Sequence, residues 1–166
     1  MRSGGSKQKG SGFERTICTK LSLWVSGGKD EDLFWRSAMS GGRATVAHRK
    51  GRQVRQAGDI CAVSPEGHVL TDKVYLECKH YRDLKLTSFI LKGQGTLAKF
   101  WRKTEAQAKL HNKMAWLIAK QNNMPIMLLT NREFTLESKA PVARLSECKI
   151  WLFETLLSVP FERLPL

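Results

Sequence analysis

The sequence predicts an α/β fold with a central mixed β-sheet flanked by helices, and three observations predict it. Residues 74–81, VYLECKHY, alternate between apolar and polar with the two-residue period of a half-buried strand. Residues 124–131, MPIMLLTN, form a short apolar run of the kind found in strands covered on both faces. Residues 11–24 and 97–123 carry the three-and-four spacing of amphipathic helices. A chain of 166 residues with 42% hydrophobic and 26% charged content folds as one domain with a real core.

The Gly/Ser/Lys-rich first ten residues are expected to be a mobile basic arm. Ser11 can cap the helix that follows, in which Ile17, Cys18, Leu21 and Val25 make an apolar stripe before SGGKDED ends it. LFWRSAMSGG, 33–42, reads as a short strand running into a turn. Residues 43–56 hold Arg43, Arg49, Lys50, Arg52 and Arg55 without an acid, around a glycine that permits a hairpin tip. This segment is either a solvated loop or a finger that contacts DNA.

GDICAV begins a strand, SPEG turns, and VYLECKHY returns, a hairpin-like pair with Asp59 and Glu77 eighteen residues apart. Residues 82–96 form a loop with a short helix. The longest helical pattern follows, placing Trp101, Thr104, Ala108, His111, Ala115 and Ile118 on one side. MPIMLLTN is a strand that tolerates Pro125 at its start, KIWLF a strand, and ETLLS a short helix. No internal repeat is present. Trp35, Trp101 and Trp116 are expected in the core.

Composition excludes several classes. No apolar run approaches the 18 residues of a membrane span, and the N-terminus lacks a hydrophobic segment, so cytoplasmic residence without a membrane partner is expected. Cys18, Cys61, Cys78 and Cys148 lie in apolar runs without a CxxC pair and read as buried free thiols. There is no glycine-rich nucleotide loop, hence no nucleotide cofactor, and no Ser/His/Asp arrangement. The net charge is +13, yet residues 131–166 balance five basic residues with five acidic ones. The excess therefore lies in residues 1–130 and implies a polyanion, nucleic acid first.

Asp59 follows a glycine and precedes an apolar strand, while Glu77 and Lys79 project from the open face of the next. The bland reading of Glu77 and Lys79 is a surface salt pair of little worth. The functional one is a hard oxygen site: two carboxylates converging from neighbouring strands suit Mg²⁺, and a lysine beside it can orient a water and stabilise charge on phosphate. Glu14 heads the apolar stripe on the inward face. It either completes a capping box with Ser11 or serves the site, and both can hold.

GDICAV followed by YLECK resembles the D…(D/E)xK motif of the PD-(D/E)XK nuclease superfamily. KGSGFERTICTKL is similar to the opening helix of archaeal/phage-type Holliday junction resolvases, with its Lys-Gly-x-x-x-Glu-Arg pattern. FWRSAMSGG resembles their strand and loop bearing an arginine and a serine, and MPIMLL the late strand after the long helix. The resemblance spans about residues 9–130. It implies a restriction-endonuclease-like core over 11–130 with a basic insertion at 41–57, preceded by the 1–10 arm and followed by a C-terminal extension, 131–166, packed on the core.

Carried over, the resemblance implies metal ligands at Asp59 and Glu77, with the backbone carbonyl of Cys78. It implies Lys79 beside the attacking water and Glu14 reaching the metal through water. Arg36 and Ser40 would approach the scissile phosphate, and Arg36, Arg43, Arg49, Lys50, Arg52 and Arg55 would contact DNA. The insertion is longer and more basic than in compact resolvases. The implied function is a Mg²⁺-dependent endodeoxyribonuclease, bacterial or phage-encoded, with Mn²⁺ as a substitute. Its expected substrate is a Holliday junction or other branched DNA arising in recombination, cut by a homodimer. A restriction- or repair-type nuclease on duplex DNA and an inactive nucleic-acid-binding module are the alternatives.

Overall fold

The structure, a computed structural model, describes residues 4–37, 57–134, 139–164 and 166, with side chains from residue 10 onward. Helix α1 (Gly4–Val25) comes first. It starts seven residues ahead of Ser11, so Ser11 lies inside the helix and the expected capping box does not form. Phe13, Ile17, Cys18, Leu21 and Trp24 make its buried stripe. Ser22, also buried, donates from Oγ to the Cys18 carbonyl at 2.8 Å and accepts from the N–H of Phe34 at 3.1 Å. That bond ties the helix to the strand after it.

Strand β1 (Phe34–Arg36) pairs antiparallel with β2 (Ile60–Ala62). The segment after β2 is helical: α2 (Pro65–Thr71) has Ser64 at the N-cap position and Pro65 at its first turn, where the missing N–H costs nothing. The expected hairpin of β2 with β3 (Val74–Tyr81) is therefore absent. Instead β2 pairs with β1, and the chain at Gly58 bridges to Leu76 of β3 in parallel.

The long helical pattern divides. Helices α3 (Leu86–Lys92) and α4 (Thr96–Leu110) form the crossover that a parallel pair of strands requires. Beyond them, Met114–Gln121 is strand β4, parallel to β3. Ala115 and Ile118 thus belong to a strand. A run as apolar as Met114–Ala119 fits both periods, and the switch falls at Asn112, whose positive φ of 52° follows the C-cap at His111. Strands β5 (Met127–Thr130), β6 (Ala143–Arg144) and β7 (Lys149–Leu152) complete a mixed sheet of order β3-β4-β5-β7-β6. β7 leads into α5 (Phe153–Leu157) and a 3₁₀ turn at Phe161–Arg163. The C-terminal segment is thus built into the sheet, with β7 an interior strand, rather than only packed on the core.

Strand alternation splits the interior in two. Leu76, Cys78, Trp116, Ile118, Leu128 and Trp151 face α1. Tyr75, Ala115, Leu117, Ala119, Leu129 and Ile150 face α4, against Leu97 and Trp101. All four cysteines are free and buried, as expected. Trp101 and Trp116 are buried as expected, whereas Trp35 is 60% exposed. Among the described residues no helix is long and apolar enough to cross a membrane.

Candidate active site

Odd-numbered positions of β3 face α4, so Glu77 and Lys79 follow Tyr75 to that side. The face is covered rather than open: their side chains are 13% and 21% exposed. Asp59 reaches them because of Gly58. That glycine has φ +94°, and a Cβ there would stand 2.4 Å from the Leu76 carbonyl oxygen. Only glycine lets the chain lie this close to β3. The N–H of Asp59 donates to the Leu76 carbonyl at 2.8 Å, and the N–H of Cys78 donates to Asp59 Oδ2 at 2.9 Å.

The result is a cluster around one ammonium. Lys79 Nζ lies 2.5 Å from Glu77 Oε1, 3.6 Å from Asp59 Oδ2 and 3.1 Å from the Cys78 carbonyl oxygen. The Tyr75 hydroxyl makes a long contact to Glu77 Oε2 at 3.4 Å, and Lys79 Nζ sits 5.7 Å from the Phe100 ring centroid. Burial and then the Asp59 charge raise the pKa of Glu77, against the opposing pull of Lys79 and Lys103. Burial pulls Lys79 down, but Glu77 and Asp59 outweigh it and the net shift is upward, so this lysine stays cationic. Burial, followed by the Asp59 charge, also pushes the Cys78 thiol well up, leaving it neutral.

Two carboxylates against one ammonium leave a deficit of positive charge in a half-buried place. Two carboxylates and a carbonyl already surround a single cation, the ammonium, and all three are hard oxygen donors. The residues therefore fit a Mg²⁺-type ion that keeps part of its water shell.

Glu14 does not join this cluster. It stands on α1, on the other face of the sheet, and its Oε2 takes the Nε of Arg36 at 2.5 Å. Its charge is felt at the Cys78 thiol, which faces α1 rather than the cluster. Among the described residues no three His, Cys, Asp or Glu side chains gather at metal-binding distance. Arg36 is thus engaged with an acid. Ser40, Arg43, Arg49, Lys50, Arg52 and Arg55 lie outside the described residues.

Tyr75, Phe100 and Lys103 are contributors that the linear reading overlooked at the site. Their signal was present: 75 shares the parity of 77 and 79, and 100 and 103 share one face of α4 at helical spacing. The pairing of α4 with that strand face had to be known first.

A glycine-set aspartate, a Glu-x-Lys strand beside it and a mixed sheet between helices define a PD-(D/E)XK nuclease core. A family model described as "Phage putative PDDEXK endonuclease" matches residues 5–149, and the chain belongs to that family of endonucleases. No curated protein and no solved structure matches the chain. The match runs through β6 and reaches β7, beyond residue 130 where the sequence resemblance was expected to stop.

Proposed function

We propose that this endonuclease is Mg²⁺-dependent and resolves branched DNA, the four-way Holliday junction above all. The observation that carries the metal is the ammonium of Lys79 held by Glu77, Asp59 and the Cys78 carbonyl. Those three oxygen donors would hold the cation, with Mn²⁺ as a substitute. When bound, the ion supplies Lewis-acid stabilisation of phosphate charge and a more acidic water.

The chain's own groups do the rest. The Cys78 N–H keeps Asp59 aimed at the site. Glu77, half-buried beside Tyr75, is held in place for the same centre. Lys79, kept cationic by Glu77 and Asp59, donates hydrogen bonds to the attacking water or to a non-bridging phosphate oxygen rather than acting as a base. In-line attack of water then forms the new P–O bond and breaks P–O3′, the water's proton passing to solvent and the O3′ leaving group taking one up, to give a 5′-phosphate and a 3′-hydroxyl. Glu14 serves the margin of this centre through water, and its pairing orients Arg36 toward the strand beside the scissile phosphate. Ser40 approaches that phosphate, while Arg43, Arg49, Lys50, Arg52 and Arg55 supply contacts to the DNA backbone.

The junction substrate is supported by four sequence blocks that resemble those of resolvases, and a DNA substrate in general by the +13 charge. A two-fold symmetric junction needs two active sites, so a homodimer is expected. Linear duplex, a flap and a four-way junction are each incubated with Mg²⁺ or EDTA, alongside Glu77→Ala. Paired symmetric cuts on the junction alone, lost in EDTA and in the variant, support the proposal. Equal cutting of linear duplex overturns the junction assignment in favour of restriction or repair.

A further inference from the structure

The chain has five tryptophans, and four of them (Trp24, Trp101, Trp116 and Trp151) are buried. Trp35, at 60% exposed, is the exception. A ring of this size gains much from burial, and its neighbour Phe34 is fully packed. Among the described residues, the strand that carries Trp35 pairs on one side only. With Phe34, the ring lines a cleft of about 440 Å³ against α1 that also presents Arg15, Arg36, Glu31 and Asp32.

In a chain of charge +13, two acids at this cleft disfavour a phosphate there. They suit the edge of a base. Carboxylates accept from a ring N–H such as thymine N3–H or from an exocyclic amino group, guanidinium groups donate to O4, O6 or N7, and an aromatic face stacks on the plane of any base. The location also fits. The N–H of Ser37 donates to the Asp59 carbonyl at 2.8 Å. Trp35 precedes Ser37 by two residues, roughly 7 Å along the strand. Among the described residues β3 is an edge strand, so a DNA strand held at Asp59 can pass round that edge to the α1 side, where the cleft lies.

We infer that the Trp35 cleft holds an unpaired nucleobase of the substrate strand, stacked on the indole beside the cleavage site. A base inside a duplex has both faces occupied, so the cleft selects DNA with unstacked nucleotides, as at a branch point. This rests on the nuclease function proposed above and narrows its substrate.

In EDTA, the full chain is titrated with oligothymidylate, with an abasic oligonucleotide of equal length, and with linear duplex, while tryptophan emission is followed with iodide as a collisional quencher. The expected result is that oligothymidylate quenches and shields the iodide-accessible emission and the abasic strand does not. Trp35→Ala then loses roughly tenfold in affinity for oligothymidylate, keeps its duplex affinity, and Trp35→Phe retains most of the binding. Equal responses to the abasic strand, or unchanged oligothymidylate binding in Trp35→Ala, overturn the inference while leaving the nuclease reading intact. Absence of binding to every probe by the unaltered chain overturns both.

Discussion

The main-chain N–H of Cys78 donates to Oδ2 of Asp59 at 2.9 Å, so the strand that carries one acid of the site holds the other. That bond depends on how closely residues 58 and 59 approach β3, and the approach depends on a missing side chain.

Gly58→Ala tests the approach. The new methyl would meet the Leu76 oxygen at 2.4 Å with φ at +94°, a conformation that costs on the order of 1–3 kcal/mol for a non-glycine residue before any clash is counted. At roughly 2–4 °C per kcal/mol for a chain this long, melting should fall by about 5 °C or more. Cleavage should fall with it even below the transition, although Gly58 carries no chemistry. Normal cleavage at an unchanged melting temperature would count against this geometry.

Asp59→Ala and Lys79→Ala should each lower the cleavage rate by about a thousandfold, the scale of losing a group that stabilises charge in the transition state. DNA affinity should hold within about threefold, because phosphate contacts elsewhere dominate binding. Rates under single-turnover conditions and gel shifts in EDTA separate the two. Parallel loss of both activities would contradict the assignment.

Saturating Mg²⁺ should raise the melting temperature, since a ligand that binds only the native state stabilises it by mass action. At ten times its dissociation constant the gain is roughly 1.4 kcal/mol, or about 3–6 °C. Glu77→Gln, near-isosteric and uncharged, should abolish most of the shift. A shift of equal size in that variant would move the metal elsewhere.

Metal-free stability should depend on pH through Glu77. Its folded pKa is raised by burial and by Asp59, so its contribution is full below the ordinary value of about 4.3 and is lost as pH rises through the higher folded value. Lys79 is raised as well, but its contribution fails only above its own alkaline range and stays constant here. Urea unfolding in EDTA should show Glu77→Gln gaining on the unaltered chain as pH rises above the ordinary carboxylate range. A difference that stays flat as pH rises would contradict the shift.

Glu14 and Arg36 should behave as a unit. Once Glu14→Ala has removed the partner, Arg36→Ala should add little further loss of cleavage. The expected coupling is on the order of 1 kcal/mol, within the range for residues in direct contact. Additive losses from the two single variants would separate their roles.

Much of the site was legible along the chain. VYLECKHY announced its period and put Glu77 and Lys79 on the same side, and the Gly-Asp pair announced a chain that could turn tightly beside a strand. The stripe from Ile17 to Leu21 faced inward as its spacing required. The reading failed where a local pattern served two structures. Met114–Gln121 is apolar enough to be either a helix or an interior strand, and burial on both faces of the sheet made it a strand. Trp35 looked like core by residue type, yet it stands exposed on a strand that pairs with β2 alone among the described residues.

By itself the sequence determined the residue types of the site, their period and the sign of the partner's charge, because each is written within a few neighbouring positions. Tertiary structure alone decided which face of β3 meets which helix. Glu77 and Lys79 consequently lie beneath α4 with Asp59, while Glu14, on the opposite face, turns to Arg36. The reason is that strand parity repeats every two residues, but the element packed on each side is chosen by contacts between segments far apart in the chain.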